Sequence, residues 1–140
     1  MKILIDTNRI ISALIKEGTT RSILFDDFFE FVTPDNTIAD IEKYKKEIQK
    51  KAKLTDDELE LVIELIFEYI TVIPESEYTK YLKECKNDIS DQGDIPHLAA
   101  CLATKADGIW AHDPHFKEQN KVKIFTNIDM LRMSGKAKSD

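Results

Sequence analysis

Apolar positions along the chain alternate between two kinds of pattern. Short runs of β-branched and aromatic residues predict strands at Lys2–Ile5, Glu30–Thr33, Ile70–Ile73, Gly108–Ala111 and Val122–Phe125, each bounded by Pro, Gly, Asp or Asn. Between them, apolar residues recur at the three- and four-residue intervals of a helix. Helices are expected over residues 8–16, 20–28, 36–53, 56–69, 75–87, 91–105 and 127–133. Thr55 with Glu58 three residues on is a capping box that opens the fourth of these. Pro96 is tolerated in the first turn of the sixth.

Strands separated by helices predict an α/β fold, with a parallel five-stranded sheet and helices on both faces. The "ILI" and "GIWA" segments are almost continuously apolar, as strands buried on both sides should be. There is no repeat, linker or low-complexity stretch. A length of 140 residues fits one domain, assigned here to residues 1–133, with "SGKAKSD" at 134–140 read as a frayed tail. No run reaches the ~20 apolar residues needed to span a bilayer, and the N-terminal run ends too soon, at Asp6, for a signal peptide. The expected location is cytoplasmic. Cys85 and Cys101 match neither a CxxC pair nor a zinc pattern and are expected to be reduced. A net charge of −6 argues against a protein that coats nucleic acid nonspecifically. It leaves room for an enzyme that binds phosphodiesters through metal held by its own carboxylates.

The acids make that second possibility concrete. Ligands of an open parallel sheet bind beyond the carboxyl ends of its strands. Asp6 follows the first strand and Asp113 the fourth, while Asp91 and Asp94 open the helix that leads into the fourth. All four should therefore gather at one rim. Taken singly, each Asp is more often a helix cap than a catalyst, because Asp is favoured at that position. Asp113 before Pro114 looks like a cap, and Asp6 could cap the first helix. Asp91 and Asp94 fit that explanation less well together, since one helix start needs one cap and "IPHLAACLA" reads as a buried helix. On the third helix the apolar stripe is read as Ile38, Ile41, Tyr44, Ile48 and Ala52. Asp40 and Glu42 flank it on opposite sides, and periodicity does not choose between them.

Carboxylates gathered without a counter-charge repel one another and raise their own pKa values. A hard divalent cation, Mg²⁺ or Mn²⁺, is the usual remedy, whereas zinc would call for His or Cys. His97, His112 and His115 have no metal-ligand spacing. His97 is expected to be packed or half-exposed on its helix, and the other two to lie at the surface beside Asp113.

The blocks "ILIDTN", an acid on the third helix, "DQGDIPHLAACLA" and "IWAHDPHF", in this order, resemble the PIN domain family, which includes VapC-like toxin ribonucleases and short archaeal-type PIN proteins. The resemblance extends to about residue 131. It implies a three-layer α/β/α fold and a metal-dependent nuclease that hydrolyses RNA. It also implies that Asp6, Asp94 and Asp113 match the first, third and fourth acids. Asp40 takes the second, usually a Glu, with Glu42 as the fallback. Asp91 matches an extra acid found in part of the family, and Thr7 and Asn8 match small polar residues that orient the first acid or a water. Ala111 departs from the Ser or Thr the family usually has two residues before the fourth acid.

The expected chemistry is hydrolysis with Mg²⁺ or Mn²⁺ held by Asp6, Asp91, Asp94 and Asp113, and with Asp40 or Glu42 completing the set. Arg9 and the lysines of "KYKKEIQKKAK" would meet the RNA, although a solvated face interleaved with Glu is the slightly better account of that lysine run. Possible partners are RNA, an antitoxin protein and a second copy in a homodimer, with no membrane. A catalytically weak PIN module that binds RNA or protein is the rival reading, on the strength of Ala111 and Asp40. A phospho-acceptor receiver domain fits less well, because the third strand runs into "VIPES" rather than an acceptor Asp.

Overall fold

The computed structural model describes residues 1–135; the expected tail falls, beyond Gly135, outside the described residues. Five parallel strands, β1 (Lys2–Ile5), β2 (Glu30–Pro34), β3 (Ile70–Ile73), β4 (Gly108–Trp110) and β5 (Ile124–Phe125), form one sheet in the order β3-β2-β1-β4-β5. The chain builds outward from β1 through β2 to β3, then returns to the other side of β1 for β4 and β5. The order thus reverses between β1 and β4, the place where open α/β sheets form their ligand crevice.

Alternation along β1 sends Ile3 and Ile5 into one apolar layer with Ile10, Leu14, Phe31 and Trp110. Leu4 enters the opposite layer with Val32, Leu98, Cys101, Ile109 and Phe116. Helices α1 (Thr7–Ile15), α2 (Thr19–Leu24), α4 (Lys45–Ala52), α5 (Asp56–Phe67) and α8 (Asn127–Met133) contribute to the first layer. Helices α6 (Glu75–Cys85) and α7 (Ile95–Thr104) contribute to the second, and α3 (Asn36–Lys43) lies near the carboxyl ends of the strands. This is the three-layer α/β/α arrangement expected. Both cysteines are free and buried, and among the described residues no helix is long and apolar enough to cross a membrane.

The expected capping box at Thr55 forms. Its hydroxyl accepts from the Glu58 N–H at 3.2 Å, and the Glu58 carboxylate accepts from the Thr55 N–H at 2.9 Å. Several boundaries differ from expectation by one or two residues, the start of β5 at Ile124 rather than Val122 among them, and three helices differ by more. The expected third helix breaks at Tyr44, leaving Ile38 and Tyr44 exposed. The break lets α3 turn Thr37 and Ile41 inward while α4 lays Ile48 against α1. The buried stripe is thus Thr37, Ile41 and Ile48, and its first member is polar. The second predicted helix stops at Leu24, followed by a turn in which the Asp26 carboxylate accepts from the Phe28 N–H. The helix expected from residue 91 begins as a 3₁₀ turn, Gln92–Asp94, and becomes α-helical at Ile95.

Gly108 opens β4 where the strand passes closest to β5. A β-carbon there would lie 2.4 Å from the Phe125 ring and 2.7 Å from the Lys123 carbonyl oxygen. Gly108→Ala should therefore destabilise the fold by about 1–3 kcal/mol in urea unfolding, the usual cost of overpacking; a variant as stable as the parent would show that β5 gives way freely.

Candidate metal centre

Asp6 sits where β1 turns into α1. Its backbone N–H still donates to the Trp110 carbonyl, at 3.1 Å, so the residue is pinned to the neighbouring strand. Its side chain makes no capping bond to α1. The residue is 3 % exposed, and Oδ2 has no hydrogen-bond partner. The Thr7 and Asn8 backbone N–H groups favour its charged form, but a cap does not account for the orphaned Oδ2.

Asp91 does cap, but it caps the 3₁₀ turn, accepting from the Gly93 N–H at 2.9 Å. Asp94 ends that turn, caps nothing, and holds a buried Oδ2 without a partner. Asp113 follows β4 and accepts from the His115 N–H at 2.9 Å, so the cap reading holds for this acid. The His115 ring Nδ1 lies 3.1 Å from Asp113 Oδ1 and 4.0 Å from Asp91 Oδ2. His115 is exposed, as expected, yet it stands among the acids rather than apart from them.

Two overlapping groups result. Asp91, Asp94, Asp113 and His115 each place a donor atom within 4.8 Å of the others, and so do Asp6, Asp94 and His97. Asp94 belongs to both. Burial pushes the Asp94 carboxyl up to about 7, and the charges of Asp113, Asp6 and Asp91 add to the shift. Burial likewise raises Asp6 to about 7, with Asp113 adding, and with the Thr7 N–H, Arg9 and the Asn8 N–H opposing. Two unpartnered, nearly buried carboxylate oxygens beside further carboxylates are the donor set a hard divalent cation takes.

Behind Asp6 lies a buried polar chain that the sequence pattern did not disclose. The Thr33 hydroxyl donates to the Ile5 carbonyl at 3.1 Å, so its proton is committed. Thr37 must then donate to Thr33 across 3.0 Å, and Thr7 to Thr37 across 3.1 Å. With both of those protons used, His97 Nε2 must carry the proton it shares with Thr7 at 3.1 Å and Thr37 at 3.3 Å. Burial lowers the His97 pKa to about 4, which leaves the ring neutral near pH 7. Nε2 also lies 3.8 Å from Asp6 Oδ1. The chain ties α1, β1, β2, α3 and α7 together under the first acid. Thr33 and Thr37 carry no motif; a threonine at an apolar position of α3 was the only available hint.

The remaining candidates divide. Asp40 is half-buried, and its charge acts on His97. Glu42 is exposed and pairs with Lys45. Asn8 is exposed; Arg9 is half-buried, and its Nε has no partner. In the lysine run, Lys51 pairs with Glu47 at 3.2 Å, and Lys45 also pairs with Glu60, the interleaving of a solvated face.

The model of the PIN domain family matches residues 4–127. The chain belongs to the PIN domain family. A comparison with curated proteins gives no match. PIN domains are generally metal-dependent nucleases, and the acids gathered in this one suit a divalent ion.

The raised carboxyl values bear on stability. In the folded PIN domain Asp6 and Asp94 hold their protons more tightly than in the unfolded chain, where such groups titrate near 3.8. Their contribution is fully present at low pH and is lost as pH rises through about 7. His97, with its folded value below 6.5, works the other way, and its contribution is lost as pH falls toward about 4. Asp6→Asn isolates one carboxyl. Without divalent ions, its stability relative to wild type should increase by about 1 kcal/mol or more between about pH 4 and 7 in urea unfolding; a difference that does not vary with pH would contradict the assignment.

Proposed function

We propose that this PIN domain is an endoribonuclease that hydrolyses single-stranded RNA with Mg²⁺ or Mn²⁺. The observation that carries the reading is the pair of buried, unpartnered carboxylate oxygens, Asp6 Oδ2 and Asp94 Oδ2, on the rim they share with Asp113. Asp6, Asp94 and Asp113 would hold the ion, and Asp91 would act through water. Asp40 is the better choice for the remaining acid, since Glu42 is engaged with Lys45 at the surface. When bound, the cation supplies Lewis acidity, lowering the pKa of a water it holds and neutralising developing phosphoryl charge.

The side chains do the rest. With the ion held by Asp6, Asp94 and Asp113, the half-buried Asp40 is the carboxylate left to accept the proton of an attacking water. Arg9 offers a half-buried cation next to Asp6 for the phosphate diester. Thr7 and neutral His97 hold the surroundings of Asp6 in one arrangement, and Asn8 stands exposed at the entrance. Ala111 supplies no hydroxyl to Asp113; the His115 ring and N–H take up that carboxylate instead.

Asp6→Asn and Asp94→Asn should each lower Mn²⁺-dependent cleavage of single-stranded RNA by about 100-fold or more, the scale of losing a group the reaction depends on. Both should also lose the rise in Tm that Mn²⁺ gives the wild type. Full cleavage by either variant, from a preparation freed of contaminating nuclease, would overturn the reading.

A further inference from the structure

Beside Asp113, on the side away from Asp6, lies a cavity of about 390 Å³ that the proposed hydrolysis does not use. Its size falls in the lower part of the ~300–1,000 Å³ range of small-molecule sites. Ile124 of β5 and Ile128 of α8 give it an apolar surface, and Ile128 is half exposed although it is a large aliphatic residue on the first turn of a helix. His112 contributes an imidazole ring, and Lys117 an exposed ammonium. The wall behind them is held in place. Trp110 Nε1 donates to Asn127 Oδ1 at 2.8 Å, and the Asn127 N–H donates to His112 Nε2 at 3.3 Å. That second bond requires Nε2 to be an acceptor.

Building on the nuclease reading, we infer that this cavity is a nucleobase subsite, which seats the base of a nucleotide flanking the scissile phosphate. The chemistry fits an unpaired nucleotide. A splayed base needs a flat apolar or aromatic surface to lie on, with polar groups at its edge. Ile124, Ile128 and the His112 ring supply the surface; at the edge stand Asp129, whose Oδ2 already accepts from the Thr126 N–H, and the Asn127 amide, whose Oδ1 already accepts from Trp110. Lys117 and, across His112, Arg9 are the cations available to the backbone phosphates. Asp113 belongs to both the cavity and the acidic cluster, so a base seated here brings its own backbone to the acids. An apolar protein side chain would fill the floor but leave the polar edge and the cations unused.

The chain reports on its own subsite, because its single tryptophan, Trp110, is bonded to the cavity wall. Each of AMP, CMP, GMP and UMP should be titrated without divalent ions, following Trp110 fluorescence and, independently, equilibrium dialysis. At least one should bind saturably and change the fluorescence, while ribose 5-phosphate should not. Ile128→Glu, at a half-exposed position where the fold tolerates change, should weaken that binding by about tenfold or more with Tm preserved. Asp94→Asn should keep the binding while losing its response to Mn²⁺. No binding of any mononucleotide by either readout, equal binding of ribose 5-phosphate, or unchanged binding by Ile128→Glu would overturn the subsite. A loss of metal response without loss of nucleotide binding separates the two sites; retained cleavage in Asp94→Asn would sink the nuclease reading and leave the subsite standing.

Discussion

Repulsion between carboxylates held almost out of water is the constraint around which this protein is arranged. Asp6 and Asp94 would each be more comfortable in solvent; Asp113 makes the ionisation of both harder still, and Asp91 that of Asp94. A fold tolerates this only where something compensates. Here the protein's own compensation is partial. Arg9 opposes the Asp6 shift, and the His115 N–H and ring attend to Asp113, but one oxygen on each of Asp6 and Asp94 is left without a partner. The deficit is positive charge at a rim of carboxylates, which is what a divalent ion supplies.

The sheet topology explains why the deficit is tolerated at this place. Reversal of strand order between β1 and β4 opens a crevice at their carboxyl ends. The Asp6 N–H stays bonded to Trp110 in β4, so the first acid cannot drift. Beneath it, the one-way run of protons from His97 through Thr7, Thr37 and Thr33 to the Ile5 carbonyl joins five elements, α7, α1, α3, β2 and β1. Every hydroxyl in that run is both donor and acceptor, although His97 Nδ1 at its head is buried without a partner, and the paired hydroxyls favour a single arrangement. Rigidity below the site lets strained charges persist above it.

Much of this was legible in the residues. All five strands are near their expected places because short β-branched runs bounded by turn residues have few other readings, and β1 and β4 also gave away their burial by being apolar on both faces. Asp91 and Asp94 were legible as a pair, since one cap was enough and the other carboxylate needed a second explanation. What the pattern missed has a common cause: it weighs apolar residues and overlooks buried polar ones. Thr37 points inward where Ile38 was expected to, because its hydroxyl completes the chain to Thr33 and His97. Periodicity could not see the break at Tyr44, which serves packing on α1 rather than any local preference. Asp6 and Asp113 looked alike as potential caps; the fold separates them, giving Asp113 a capping bond to the His115 N–H while Asp6 is buried with Oδ2 unpartnered.

The central claim, that these carboxylates are poised to exchange protons for a cation, is tested most directly by calorimetric titration of the metal-free protein with Mn²⁺ in buffers of different ionisation enthalpy. Ligand carboxyls that are still partly protonated must release those protons on binding. The account predicts that about one proton or more leaves per ion near pH 6.5, declining toward zero by about pH 9. Mn²⁺ binding with a heat that does not depend on the buffer at either pH, or no binding at all, would contradict it.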